Sequence, residues 1–171
     1  MTDRLSEIQL NLMVALAGAC AAISVFVLIA KNIPKIRRVT LMLLGTSSML
    51  LLIFDRLAYI YSGSMDESGY VMVRFTNYMV YSLTLVVIMA FNLYLSDLMK
   101  NEAGLKEAPG RLKAVTLICT AGIIMVVISQ FTGLYYYFDE NNVYHRGPGF
   151  ILCYLLPALS PVIQLTVLIQ H

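Results

Sequence analysis

The stretch from Val39 to Tyr61, VTLMLLGTSSMLLLIFDRLAYIY, decides how many times this chain crosses a membrane. It carries no charge as far as Phe54, which is short of the roughly 20 apolar residues that a spanning helix needs. Leu57, Ala58, Tyr59, Ile60 and Tyr61 bring it to length only if Asp55 and Arg56 lie inside the helix. Four other stretches need no such condition: Ile8 to Ala30, Phe75 to Ser96, Ala114 to Phe138 and Gly147 to His171. Of 171 residues, 59% are hydrophobic and 13% charged, against about a quarter charged in an average soluble domain. The expected fold is therefore all-α, a polytopic membrane protein forming one membrane domain over residues 1–171. Short connections make it a five-helix up-and-down transmembrane bundle, with helices over about residues 8–30, 39–61, 71–98, 114–134 and 150–170.

The same composition excludes a disordered chain, a coiled coil and a disulfide scaffold. Cys20, Cys119 and Cys153 sit singly in different apolar runs and read as small packing residues. A net charge of +2 gives no reason to expect nucleic acid. Position matters more than sum, because Lys and Arg in short loops are retained on the cytoplasmic side. Lys31, Lys35, Arg37 and Arg38 follow helix 1, and Lys100, Lys106, Arg111 and Lys113 follow helix 3. The opposite connections hold Asp66 and Glu67, then Asp139 and Glu140 with Arg146. The N-terminus is thus expected outside and His171 inside. Tyr59, Tyr61, Tyr70, Tyr135, Tyr136, Tyr137 and Tyr144 all fall near the outer interface, where an amphipathic ring keeps its hydroxyl wet.

Helix 1 reads as a retained span. Its head, with Asp3, Arg4 and Glu7, is not net positive, and its apolar run exceeds a signal-peptide core. Ala17-Gly18-Ala19-Cys20 is a poor lipoprotein site. Ala15/Ala19 and Gly18/Ala22 have the small-xxx-small spacing that lets helices approach closely. Packing within one chain is the preferred reading of these pairs, with a homodimer as the alternative.

The chemistry concentrates near the outer ends of helices 2 and 3. At 1.5 Å per residue, Asp55 lies about 9 Å below Tyr61 and Arg74 about 6 Å below Tyr70. Similar depth predicts an Asp55–Arg74 ion pair facing the bundle interior, with Arg56 joining it or snorkelling outward. Arg74, Asn77, Tyr78, Tyr81 and Thr84 share one face of helix 3; Ser48, Leu52, Asp55 and Tyr59 share one of helix 2. The two faces predict a polar cavity, its mouth covered by the aromatic outer loop Tyr135 to Arg146. The candidate ligand site is Asp55, Arg56, Tyr59, Arg74, Asn77, Tyr78, Tyr81, Tyr137, Asp139, Tyr144, His145 and Arg146. A purely structural lock between two helices has equal weight.

Other signals are weaker. His145 with Asp139 and Glu140 matches no metal-ligand spacing, so neither a metal nor a cofactor is expected. Pro157 and Pro161 in helix 5 read as a static kink. No phosphate-binding glycine loop, no His-Glu-x-x-His and no nucleophile paired with a His is present, so the chain is not expected to be an enzyme.

Phe54 to Tyr61, Phe91-Asn92-Leu93-Tyr94-Leu95, and Tyr136 to Asp139 with Tyr144 to Pro148 resemble the N-terminal multi-helix membrane regions of bacterial sensor proteins of the Firmicutes type. The resemblance implies a bacterial cytoplasmic membrane protein that receives a small-molecule or membrane signal. It also implies a cytoplasmic output domain after His171, a diguanylate cyclase or histidine kinase, where any catalysis would reside. The rival expectations are a small transporter or channel subunit, and a structural membrane partner.

Overall fold

The computed structural model describes residues 2–170, with side chains from Ser6 to Gln170. His171 and whatever follows it lie outside the described residues. The described residues form five α-helices, α1 (Thr2–Ile29), α2 (Lys35–Ile60), α3 (Glu67–Asn101), α4 (Gly110–Thr132) and α5 (Phe150–Gln170). All five are long and apolar enough to cross a membrane. Asp55 and Arg56 do lie inside α2, as the length of that span requires. A short antiparallel hairpin, β1 (Tyr136–Phe138) and β2 (Tyr144–Arg146), occupies the segment expected to be an irregular loop.

Helix ends differ from expectation for local reasons. Pro34 and Pro109 take the N-cap positions of α2 and α4, each with ψ near 140° (142° and 141°). Their fixed φ suits a helix start, so both helices begin four residues earlier than the apolar runs do. Gly133 ends α4 with a φ of 64°, the left-handed turn that closes many helices. At 35 residues α3 is about 52 Å long, well beyond a hydrocarbon core of about 30 Å. Its apolar middle continues into polar turns at both ends. Hydroxyls inside the spans are satisfied by their own helix: Thr40, Ser47, Thr76, Thr84, Ser96 and Ser160 each donate to the carbonyl four residues back. Pro157 and Pro161 sit within an uninterrupted α5.

Packing is centred on α3. Helices α3, α4 and α5 contact one another, α2 packs on α3, and α1 packs on α2. Three buried clusters line the α3–α4–α5 core: Leu85, Val126, Tyr135, Tyr136 and Cys153 at the hairpin end, Ile88, Val115 and Cys119 in the middle, and Leu95, Met99, Leu112 and Val167 at the far end. Asn92 ties the three helices together. Its Nδ2 donates to Leu112 O (2.9 Å) and Thr116 Oγ1 (3.0 Å), and Gln164 Nε2 reaches Ile88 O (3.2 Å) and Asn92 Oδ1 (3.4 Å). At the end opposite the hairpin, Arg37 of α2 clamps α3: Nε donates to Asp97 Oδ2 (3.1 Å) and Nη1 to Glu102, while Asn101 Nδ2 holds the other Asp97 oxygen (2.7 Å). Outward faces are apolar on every helix, with Phe26 of α1, Phe131 of α4 and Ile169 of α5 at 73%, 86% and 78% exposure. Such surfaces suit hydrocarbon rather than water.

The small-residue pairs of α1 correct an expectation. Ala15, Ala19 and Ala22 are exposed and take no part in packing within the chain. The α1 face against α2 is instead Met13, Ala17, Cys20, Ala21 and Ser24. Gly45 of α2 rides over the Ser24 hydroxyl, which is turned back onto Cys20 O (2.8 Å); a side chain at 45 would collide with it.

Candidate functional site

The site forms where the hairpin folds back over the ends of α2, α3 and α5. After Gly133 the chain is pinned by Ser129 Oγ, which accepts from Tyr135 N (2.8 Å), and by Gly147 N and Gly149 N, which donate to Tyr135 O and Leu134 O (2.8 Å each). Tyr136 pairs with Arg146, Tyr137 with His145 and Phe138 with Tyr144. Strand alternation turns Tyr136 inward, 4% exposed, and leaves Tyr137 half exposed on the outer face, stacked on His145 at 5.4 Å. Inside, Tyr136 stacks between Tyr81 of α3 (5.1 Å) and Tyr144 (5.6 Å), and its hydroxyl meets the Gln130 amide (2.8 Å). The Tyr81 and Tyr144 hydroxyls share a 2.6 Å hydrogen bond. Burial pushes the Tyr136 phenol up to about 12 and raises Tyr144, so both act as neutral hydroxyls.

The hairpin tip is closed by Asp139 and fastened by Asn142. Asp139 Oδ1 accepts from Asn141 N (3.0 Å) and Val143 N (2.9 Å), while Oδ2 meets His145 Nε2 (2.9 Å). The His145 contact and these amides hold the Asp139 carboxyl below the usual carboxylate range. Asn142, at a φ of 58°, is 2% exposed; its Nδ2 donates to Ser64 O (2.8 Å) and its Oδ1 accepts from Arg74 Nη1. Arg74 also donates to Tyr70 O (3.0 Å) and lies over the rings of Tyr70 (3.5 Å) and Phe138 (4.8 Å).

Beneath this roof is a cavity of about 410 Å³, within the range of small-molecule sites. Helix α2 lines it with Asp55, Ala58 and Tyr59, and α3 with Asn77, Val80, Tyr81 and Thr84. The hairpin region adds Tyr135, Tyr144 and Arg146; α5 adds Phe150, Cys153, Tyr154 and Pro157. Asp55 and Arg146 are its only charged lining groups, and neither has an ion-pair partner among the described residues. Arg146 instead lies over the Phe150 ring at 4.6 Å. The wall thus presents one carboxylate, one guanidinium, an amide and several phenols to a largely apolar space.

Six of the twelve sequence-derived site residues meet here: Asp55, Tyr59, Asn77, Tyr81, Tyr144 and Arg146. The others do not line the cavity. Arg74 is the hairpin's anchor and makes no ion pair with Asp55, because a neutral amide, a backbone carbonyl and two rings already surround it. Arg56 lies on a different face of α2, in the groove against α1. Tyr78 packs against the hairpin-end core, and Tyr137, Asp139 and His145 build the hairpin's outer face and tip. Among the described residues no group of three His, Cys, Asp or Glu is placed to hold a metal. Sequence reasoning missed the α5 wall, although Phe150, Cys153, Tyr154 and Pro157 recur at helical spacing, and it missed Asn142, whose role depends on a contact across 68 residues.

Comparison with known protein families, curated proteins and solved structures finds no match for this chain.

Proposed function

We propose that this chain is the sensory input module of a bacterial signal-transduction protein: a five-span up-and-down domain of the cytoplasmic membrane, its hairpin end outside and its output domain following His171. The observation that carries this reading is the roofed cavity with an unpaired carboxylate and an unpaired guanidinium in its wall. Helices α2 and α5 both pack on α3 and face each other across that cavity. A ligand bridging them favours one spacing of the two helices over another, which is the differential affinity that any switch requires. Helix α5 then carries the change toward the far end of the molecule. The enzymatic step, on this reading, belongs to the output domain.

The test is output from the protein with its native downstream domain, reconstituted in liposomes and titrated with a panel of amino acids, amines and short peptides. At least one compound is expected to change output, with its half-maximal concentration shifted about tenfold or more in Asp55→Asn, as for loss of one charge-assisted hydrogen bond. Unchanged output across the panel counts against a sensor. Saturable flux of a compound with no change in output favours the transporter reading.

A further inference from the structure

We propose that the groove between α1 and α2 binds a long-chain fatty acid, with Arg56 holding its carboxylate. This site lies on a different face of α2 from the cavity beneath the hairpin and is independent of the sensor reading. The groove measures about 350 Å³ and is lined by Met13, Ala17 and Gly18 of α1 and by Met49, Leu52 and Arg56 of α2, among others, all apolar except the arginine. Arg56 differs from the other arginines that face a helix neighbour. Arg37 has two carboxylates, and Arg74 has an amide, a carbonyl and two rings. Arg56 has no hydrogen bond, ion pair or ring contact among the described residues, and its Nε is buried without a partner.

A guanidinium whose Nε is buried without a partner beside an apolar groove is costly until an anion reaches its open Nη nitrogens. The two Nη nitrogens, which are not shut off as Nε is, form the pair of donors that a planar carboxylate can take with both oxygens. Depth also fits. Arg56 lies five residues before Tyr61, about 8 Å along the helix, and Met49 lies about 10 Å deeper at 1.5 Å per residue. An acid group at Arg56 therefore continues into a methylene chain running down the groove. Gly18 leaves space for that chain: a Cβ added there would meet nothing within 4 Å. The groove is a single valley between two helices with one cation, which matches one chain and one negative charge, and not a two-chain lipid.

The experiment uses the full chain purified in an uncharged detergent, with cis-parinaric acid as the fluorescent probe and oleate, oleyl alcohol and phosphatidylglycerol as competitors. Saturable probe binding is expected, displaced by oleate at concentrations about tenfold or more below those of the uncharged alcohol with the same chain. Arg56→Gln should weaken oleate by a similar factor. Gly18→Leu, which fills open space and keeps the charge, should abolish probe binding. Asp55→Asn should leave it unchanged. The proposal is overturned if the alcohol competes as well as oleate, if phosphatidylglycerol competes better, if either Arg56→Gln or Gly18→Leu binds like the wild type, or if Asp55→Asn weakens binding as much as Arg56→Gln.

Discussion

Adjacent residues of a helix project about 100° apart, which is enough to send the Asp55 carboxylate toward α3 and α5 and the Arg56 guanidinium toward α1. Helical periodicity in the sequence found Asp55, Tyr59, Asn77, Tyr81 and Thr84, because residues three and four apart must share a face. It failed at Arg74, where opposite charge suggested Asp55 as the partner. The partner chosen is neutral, since Asn142 Oδ1, Tyr70 O and two ring faces solvate a guanidinium without a second charge to desolvate. That choice makes Asn142 the residue on which the roof depends. Asn142→Ala removes the bonds to Arg74 and Ser64 and leaves a residue that tolerates the left-handed backbone less well than Asn, so it should destabilise the hairpin by about 2–3 kcal/mol. Asn142→Gly loses the same bonds without the backbone strain and should cost about 1 kcal/mol less. Hydrogen exchange across residues 135–146 in detergent gives both values. Asp139 supplies a pH dependence. Its carboxyl is held below the ordinary range in the folded hairpin, so the stability it contributes is present above the unfolded pKa of about 4 and is lost as pH falls through the lower folded value. Protection of the Asn141 and Val143 amides, corrected for intrinsic exchange, should be flat near neutrality and fall in acid. In Asp139→Asn the acid-dependent fall should be absent.

The elements were legible to the extent that their residues are alike. Long apolar runs announced all five helices; the ends shifted where Pro34, Pro109 and Gly133 act through backbone geometry and where α1 and α3 continue into polar turns that hydropathy does not mark. The hairpin was not legible, since strands of three residues, Tyr-Tyr-Phe and Tyr-His-Arg, are too short for alternation to register. What forms them is contact with α3 and the Asp139 turn. One glycine and two amide positions test how these elements fit together. At Gly147 a side chain would run into the carbonyls of Gly133 and Leu134. Those atoms are backbone and cannot swing away, so Gly147→Ala should cost about 1–3 kcal/mol, as overpacking does. The effect should be confined to the hairpin and the start of α5. Asn92 and Gln164, both 1% exposed, meet in the α3–α4–α5 core. Hydrogen bonds of this kind in membrane helices contribute about 0.6–2 kcal/mol. Asn92 makes the closer pair of bonds, to α4, and Gln164 the longer pair, to α3. Asn92→Leu should therefore destabilise more than Gln164→Leu in a steric-trapping or SDS titration. Because the two amides touch, the double variant should lose less than the sum of the singles.

At the scale of the whole molecule, the two ends are chemically different, and the difference bears on how the chain sits in its membrane. All five Lys, with Arg37, Arg38 and Arg111, cluster at the end where α2 begins and α3 finishes. The structure removes two of these from the free pool, since Arg37 is held by Asp97 and Glu102, and Lys113 meets Glu107 at 2.7 Å. Lys31, Lys35, Arg38, Lys100, Lys106 and Arg111 remain without an ion-pair partner among the described residues. The retention rule counts Lys and Arg near the spans and gives little weight to acids, so the bias survives this pairing. The hairpin end offers Arg56, Arg74 and Arg146 instead, each set against protein or aromatic surface. Orientation with the hairpin outside has a direct check in single cysteines placed at exposed loop positions and labelled on intact cells with a membrane-impermeant maleimide. Met65→Cys and Asn141→Cys, at the hairpin end, should label without permeabilisation. Asn32→Cys and Ala103→Cys, at the lysine-rich end, should label only after it. Cys119 and Cys153 are buried and Cys20 is partly covered, so the parent chain sets a low background. The reverse labelling pattern would put the roofed cavity on the cytoplasmic side, where it would meet metabolites and not external compounds. It would also count against the proposed relay to a cytoplasmic output domain.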